Sequence, residues 1–261
     1  MNGENIRLAC VGLGRWAGVL AEGIRKTPGL EITACHTRSE ARKEAFARKY
    51  GCRPFPGYPA ILEDPHIDAV VLTTPHSAHK EQVCAAARAG KHVFVEKPLA
   101  VTLEDARACV EACGSAGVVL MVGHCWRWVA SVQKEKSLVD AGALRFASGP
   151  IAQVSSSFVT QRRYQLSLFG TEANLYLNAD PGGGTPAAPD LVIHRRGEEA
   201  PEAVAVEQPD MIARHMASFA KSVRGEAPPF TDGREGAALV ALLSAMLESS
   251  KTGGWAQVEA P

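Results

Sequence analysis

Between residues 7 and 122 the chain alternates short apolar runs with longer segments of helical period. The runs at 7–12, 30–37, 69–73, 92–95 and 118–122 are largely apolar or β-branched, the pattern of strands covered on both faces. The intervening segments 17–26, 40–50, 80–89 and 103–112 are rich in Ala, Glu, Lys and Arg and predict helices. Gly51, Gly90 and Gly114 follow three of them as candidate left-handed caps, and Thr102 with Asp105 predicts an N-cap for the fourth. Strand and helix in strict alternation predict βαβ units around a parallel sheet.

After Gly123 the texture changes. Residues 128–141 predict one more helix, and 151–159, 164–169, 173–178 and 191–195 show the alternation or β-rich composition of an antiparallel sheet. Residues 181–186, P-G-G-G-T-P, predict a loop or hairpin, and with no helix directly following they make a poor phosphate cradle. Residues 211–223 and 234–250 predict two closing helices. The fold class is therefore α/β, with a doubly wound parallel sheet over 1–123 and an α+β domain with an antiparallel sheet over 124–261.

Composition narrows the function classes. Of 261 residues 46% are apolar and 21% charged, enough for a large core. Lys plus Arg and Asp plus Glu are both 28, so no pervasive field is available to hold a polyanion, and a nucleic-acid partner is not expected. The start lacks a basic leader, and no apolar run reaches the roughly 18 residues of a bilayer span. A cytoplasmic protein without a membrane partner is expected. Seven cysteines, odd in number and without C-x-x-C spacing, read as reduced core thiols rather than a disulfide frame or a metal site.

Gly12-Leu13-Gly14-Arg15-Trp16-Ala17 follows the first strand and opens the first helix, the context in which G-x-G-x-x-A acts as a dinucleotide loop. Gly12 suits the tight turn, Gly14 lets backbone approach a pyrophosphate, and Ala17 permits close helix and sheet packing. Gly12, Gly14, Arg15 and Trp16 are thus candidate cofactor contacts. The second strand ends in Thr37-Arg38-Ser39, where an Asp or Glu would bond ribose hydroxyls and repel a 2′-phosphate. A hydroxyl followed by arginine instead favours NADP over NAD, whereas Arg38 stacked on adenine would leave both usable.

Glu96-Lys97-Pro98 ends the fourth predicted strand, at the sheet edge where open α/β folds bind ligands. A lysine there can exchange the proton that accompanies hydride transfer, if burial and neighbouring charge tune it. Taken alone, such a lysine is more often a solvated loop residue. The combination is more specific: G-L-G-R-W-A, then T-T-P-H-S-A-H (73–79), A-G-K-H-V-F-V-E-K-P-L-A (89–100) and G-H-C-W-R-W (123–128). Together they resemble the Gfo/Idh/MocA family, as do the later stretches at 146–157, 168–173 and 231–236, so that the resemblance covers nearly the whole chain. It implies an N-terminal Rossmann domain, an NAD(P)-dependent oxidoreductase acting on sugars, polyols or related cyclic hydroxyl compounds, and Lys97 as the catalytic lysine. It also implies that Thr74, Pro75 and His79 lie along the nicotinamide side with Glu96, that Arg127 is near the substrate, and that the second sheet makes a homo-oligomer.

His76 and His79 have helical spacing but no third ligand, so helix-start packing or cofactor contact is favoured over metal binding. His124, just past the last strand of the first sheet, is either a second proton-transfer group or a hydrogen-bonded structural histidine. One departure from the family stands out. Its members carry, early in the second domain, a helix with Asp and His at D-x-x-x-H spacing that helps activate the substrate hydroxyl. Here the helix at 128–141 runs almost directly into a segment resembling a much later strand, so the second domain is shortened. Asp190 and His194 have the right spacing in a β-rich stretch, which would hold them about 13 Å apart. Asp210 and His215 do not stack on a helix. Two functions follow: an enzyme of the family type using Lys97, and a nucleotide-binding protein with impaired catalysis.

Overall fold

The computed structural model describes residues 5–140, 164–179, 190–207 and 209–261. Two compact units emerge, Met1–His124 together with Ile212–Pro261, and Cys125–Met211. In the first, β1 (Ile6–Val11), α1 (Arg15–Arg25), β2 (Leu30–His36), α2 (Glu40–Tyr50), β3 (Arg53–Pro54), α3 (Tyr58–Glu63), β4 (Ala69–Leu72), α4 (His79–Arg88), β5 (His92–Val95), α5 (Leu103–Ser115) and β6 (Leu120–Val122) follow one another. The sheet order is β3-β2-β1-β4-β5-β6, parallel throughout. This is the doubly wound order expected from the alternation, with its switch point between β1 and β4.

The βα rhythm bears out four of the five expected strands with shifts of a residue or so; the fifth starts later, at Leu120 rather than 118. The short edge strand β3 and the helix α3 were not anticipated, because two residues including Pro54 carry no periodicity and proline is tolerated only at an edge. Thr102 caps α5 as expected, its Oγ1 accepting from the Asp105 N–H at 3.1 Å. Gly114 does not end that helix. It lies inside α5, and the glycine at positive φ is Gly117 (+65°).

The closing helices α7 (Met211–Val223) and α8 (Gly233–Thr252) are those expected, but from Ile212 onward the chain groups with the first unit rather than with residues 125–211. On α7, Phe219 and His215 stack edge-on against Phe94 of β5, at 5.7 and 4.9 Å between ring centroids. Burial of Met216 and Phe219 contributes about 1.5 to 3 kcal/mol each. Periodicity marks α7 as half-buried but cannot say which unit it covers.

In the second unit α6 (Ala130–Asp140) precedes β7 (Tyr164–Phe169), β8 (Ala173–Ala179), β9 (Asp190–Arg195) and β10 (Glu202–Val204), an antiparallel sheet of order β10-β9-β8-β7. Its small core joins Ala173, Leu175 and Ile193 to Leu138 and Val139 of α6. Asp190 and His194 sit on β9, extended as argued. The strand expected at 151–159 and the loop at 181–186 lie outside the described residues.

Candidate functional site

Val11, Leu72, Val95 and Val122 are in register across four adjacent strands, so the segments that follow them leave the sheet at one level. Those segments begin at Gly12, Thr73, Glu96 and Gly123, and β2 adds Thr37 beyond His36, the register partner of Val11. The sheet therefore brings to one edge five groups of residues far apart in sequence.

At the switch point Gly12 has φ +89°, and a Cβ there would lie 2.7 Å from the Thr73 carbonyl carbon and the Thr74 nitrogen, so glycine is required on two counts. The Gly12 N–H donates to His36 O, and Thr73 Oγ1 donates to Gly12 O. Gly14 is the N-cap of α1, and among the described residues nothing lies within 4 Å of where its Cβ would be and no side chain caps that terminus. The first turn carries no acidic residue. Uncapped N–H groups beside open space at a helix start fit a pyrophosphate. Arg15 is exposed at the first position of α1, and buried Ala17 packs the helix close to the sheet.

At the end of β2, Thr37 is half-buried and Arg38 exposed, with no hydrogen bond or ion pair from the Arg38 guanidinium among the described residues. Ser39 is partly committed: as N-cap of α2, its Oγ accepts from the Arg42 N–H at 3.5 Å.

Glu96 is the hub of the β5 end. Its carboxyl is buried, accepts from Trp16 Nε1 at 2.5 Å and from the Lys97 N–H at 3.2 Å, and occupies the space a side chain at position 123 would need. Burial raises the Glu96 pKa, against the lowering effect of the Trp16 and Lys97 N–H groups and the Lys97 charge. The Lys97 side chain is exposed at the cis Lys97–Pro98 peptide, so the burial sequence reasoning invoked around its amine is not found. Thr74 donates through Oγ1 to Gln82 Oε1, and Pro75 is exposed.

His79 does not face open space. It is completely buried, with Nδ1 3.0 Å from Pro98 O and Nε2 3.0 Å from Thr74 O. Burial lowers its pKa while the two carbonyls act in the opposite direction. With both nitrogens turned to protein carbonyls, the ring is available neither to a metal shared with His76 nor for direct cofactor contact.

His124 is half-buried at the end of the first unit, its N–H donating to Val122 O at 2.8 Å. His215, buried on α7, lies 3.2 Å through Nε2 from Thr231 Oγ1, which donates to Val122 O, and burial with neighbouring His124 pushes its pKa down to about 3. It is a core histidine. Arg127 is half-buried in the turn Cys125–Trp128, in the second unit.

Sequence reasoning passed over Glu135 on α6. It is buried with neither carboxylate oxygen hydrogen-bonded to a described residue, and burial pushes its pKa up to about 7. The available sign was spacing: Ser131, Glu135 and Leu138 fall at i, i+4 and i+7, on the stripe where Leu138 and Val139 meet the sheet.

The family described as oxidoreductases with an NAD-binding Rossmann fold matches residues 6–124. The chain is 36% identical over 143 residues to scyllo-inositol 2-dehydrogenase (NAD(+)) of Bacillus subtilis, covering 54% of this chain and 42% of that protein. It is 40% identical over 122 residues to 1,5-anhydro-D-fructose reductase of Ensifer adhaerens, covering 46% and 36%. The chain thus spans about two fifths of the length of these curated relatives. Among solved structures, a protein named as an NADPH-dependent oxidoreductase of Desulfitobacterium hafniense superposes with a TM-score of 0.90 at 19% identity over 98% of both chains. KijD10, a 3-ketoreductase of Actinomadura kijaniata solved with NADP and TDP-benzene, superposes at 0.75 and 20% identity over 93% and 97%. These likenesses bear out the fold. Over residues 6–124 the chain matches the model of the Gfo/Idh/MocA oxidoreductase family with its NAD-binding Rossmann fold.

Proposed function

We propose that the chain is an oxidoreductase that transfers hydride between NADP(H), or less readily NAD(H), and a sugar, polyol or related cyclic hydroxyl compound. The observation that carries this reading is the single sheet edge: Gly12 stands beside Thr73 and Thr74, with Lys97 one strand further on. Relatives named for inositol and anhydrosugar substrates support the substrate class.

Gly12, Gly14 and the first N–H groups of α1 would hold the pyrophosphate, and Thr37 and Arg38 the ribose end, where an arginine without an internal ion pair suits a 2′-phosphate. The nicotinamide, when bound, supplies or accepts the hydride. Lys97 Nζ takes the hydroxyl proton or returns it, as a positioned acid or base. His124 is the candidate second proton-transfer group of this unit, and Arg127 of the second unit the candidate substrate contact. The test is a change in nicotinamide absorbance with scyllo-inositol, myo-inositol and 1,5-anhydro-D-fructose; no change with any of them, and no binding of either dinucleotide, would sink the reading.

One observation favours impaired catalysis. Among the described residues no helix carries Asp and His four apart. On that reading cofactor binding is kept and turnover is slow. We further propose a homo-oligomer through the second sheet, whose Leu166 and Phe169 are exposed apolar side chains, with sedimentation as a monomer at micromolar concentration as the contrary result. Seven buried thiols, none in a disulfide, support a cytoplasmic setting.

A further inference from the structure

His79 begins α4 and lies behind the sheet edge rather than on it. Its ring reaches in two directions, to the carbonyl of Thr74 in the segment after β4 and to the carbonyl of Pro98 in the segment after β5. Gln82, one turn further along the same helix, takes the Thr74 hydroxyl, so the first turn of α4 grips Thr74 by backbone and side chain. Lys97 is held from both sides: its N–H donates to Glu96 Oε2, and the next residue offers its carbonyl to His79. Leu99 and Ala100 beyond are buried, so the turn has little freedom to drift.

We infer that His79 is a positioning residue, which fixes the distance between the Thr74–Pro75 segment and the Lys97 turn and so sets where the Lys97 amine stands relative to bound dinucleotide. The inference rests on the proposed function, in which those two segments flank the nicotinamide. Its physical basis is the rigidity of the imidazole: one planar ring stands 3.0 Å from carbonyls on two separate segments, and in either neutral tautomer it donates to one of them while packing against the other. A displacement of about 1 Å at a reacting group costs on the order of 10² in rate, whereas the pyrophosphate end depends on the glycine loop, and the hydrogen bonds of the His79 ring run to Thr74 and Pro98 instead.

The experiment compares wild type with His79→Phe, which fills the space without donating, and His79→Gln, which keeps one donor, each checked for folding by its melting curve. Dinucleotide affinity is read from fluorescence quenching with NADP, and Lys97 placement from its labelling by trinitrobenzenesulfonate, located by peptide mass spectrometry, with and without NADP. Wild-type Lys97 should be protected by NADP. His79→Phe should bind NADP within about twofold of wild type yet lose that protection, with kcat on scyllo-inositol or 1,5-anhydro-D-fructose down about 10²-fold and His79→Gln intermediate. Equal protection in wild type and both variants would overturn the role of His79 while leaving the proposed function intact. A wild type whose Lys97 is labelled equally with and without bound NADP would overturn both. If His79→Phe fails to fold, His79→Gln alone decides by the same comparison.

Discussion

The indole N–H of Trp16 lies 2.5 Å from Oε1 of Glu96, tying the first turn of α1 to the end of β5 across the switch point of the sheet. Both residues were expected to contact the cofactor, and in the structure they contact each other. The pair fixes the glycine-loop helix against the segment that carries Lys97.

Removing the indole leaves the buried Oε1 of Glu96 without its donor, while Oε2 keeps the Lys97 N–H. Trp16→Phe is expected to destabilise the protein by about 1 to 3 kcal/mol, the cost of an orphaned buried acceptor, and Glu96→Gln by less, because an amide oxygen can still accept from the indole. Denaturant melts of the two variants check the order. A Trp16→Phe variant as stable as wild type would show that the bond carries no net energy.

Arg38 should decide between the dinucleotides. Loss of its charge-assisted bond to a 2′-phosphate is expected to weaken NADP by about 1.5 to 3 kcal/mol, with NAD affinity little changed. Calorimetric titration of Arg38→Ala with both cofactors measures the difference. Parallel losses for NADP and NAD would place the arginine elsewhere.

Lys97→Ala should keep dinucleotide affinity and lose turnover by about 10² to 10⁴. Steady-state kinetics and fluorescence titration of the same preparation separate the two effects. Turnover unaffected by the substitution would move the chemistry away from the β5 edge.

Glu135 predicts a pH dependence of stability. Its folded pKa of about 7 lies above the ordinary 4.5, so the folded state holds the proton more tightly than the unfolded chain. Its contribution is therefore fully present below about pH 4.5 and lost as the pH rises through 7, a change of roughly 3 kcal/mol. Glu135→Gln should gain about 3 kcal/mol over wild type near pH 8 and little near pH 4.5. Equal stability of the two proteins at both pH values would mean that the carboxyl finds solvent or a partner when charged.

Much of the first unit was legible without coordinates. A continuous apolar strand such as β4, followed by a helix and another apolar strand, leaves few arrangements besides a parallel sheet, and a glycine pair between strand and helix marks the turn that must come closest to a neighbouring segment. Local chemistry was equally readable where it acts over three or four residues, as in the Thr102 cap of α5.

What the chain could not disclose on its own face lies in contacts between distant residues. His79 reads in T-T-P-H-S-A-H as helix-start packing or a cofactor contact, and the packing of α4 turns it inward between two carbonyls 5 and 19 positions away. The glutamate of E-K-P becomes the acceptor for Trp16, 80 positions earlier. Residues 212–261 group with the first unit because the apolar face of α7 is satisfied by Phe94, a partner that helical period cannot name. Periodicity records that a side chain is buried; only the tertiary structure says against what, because burial energy is non-directional and hydrogen-bond geometry is not.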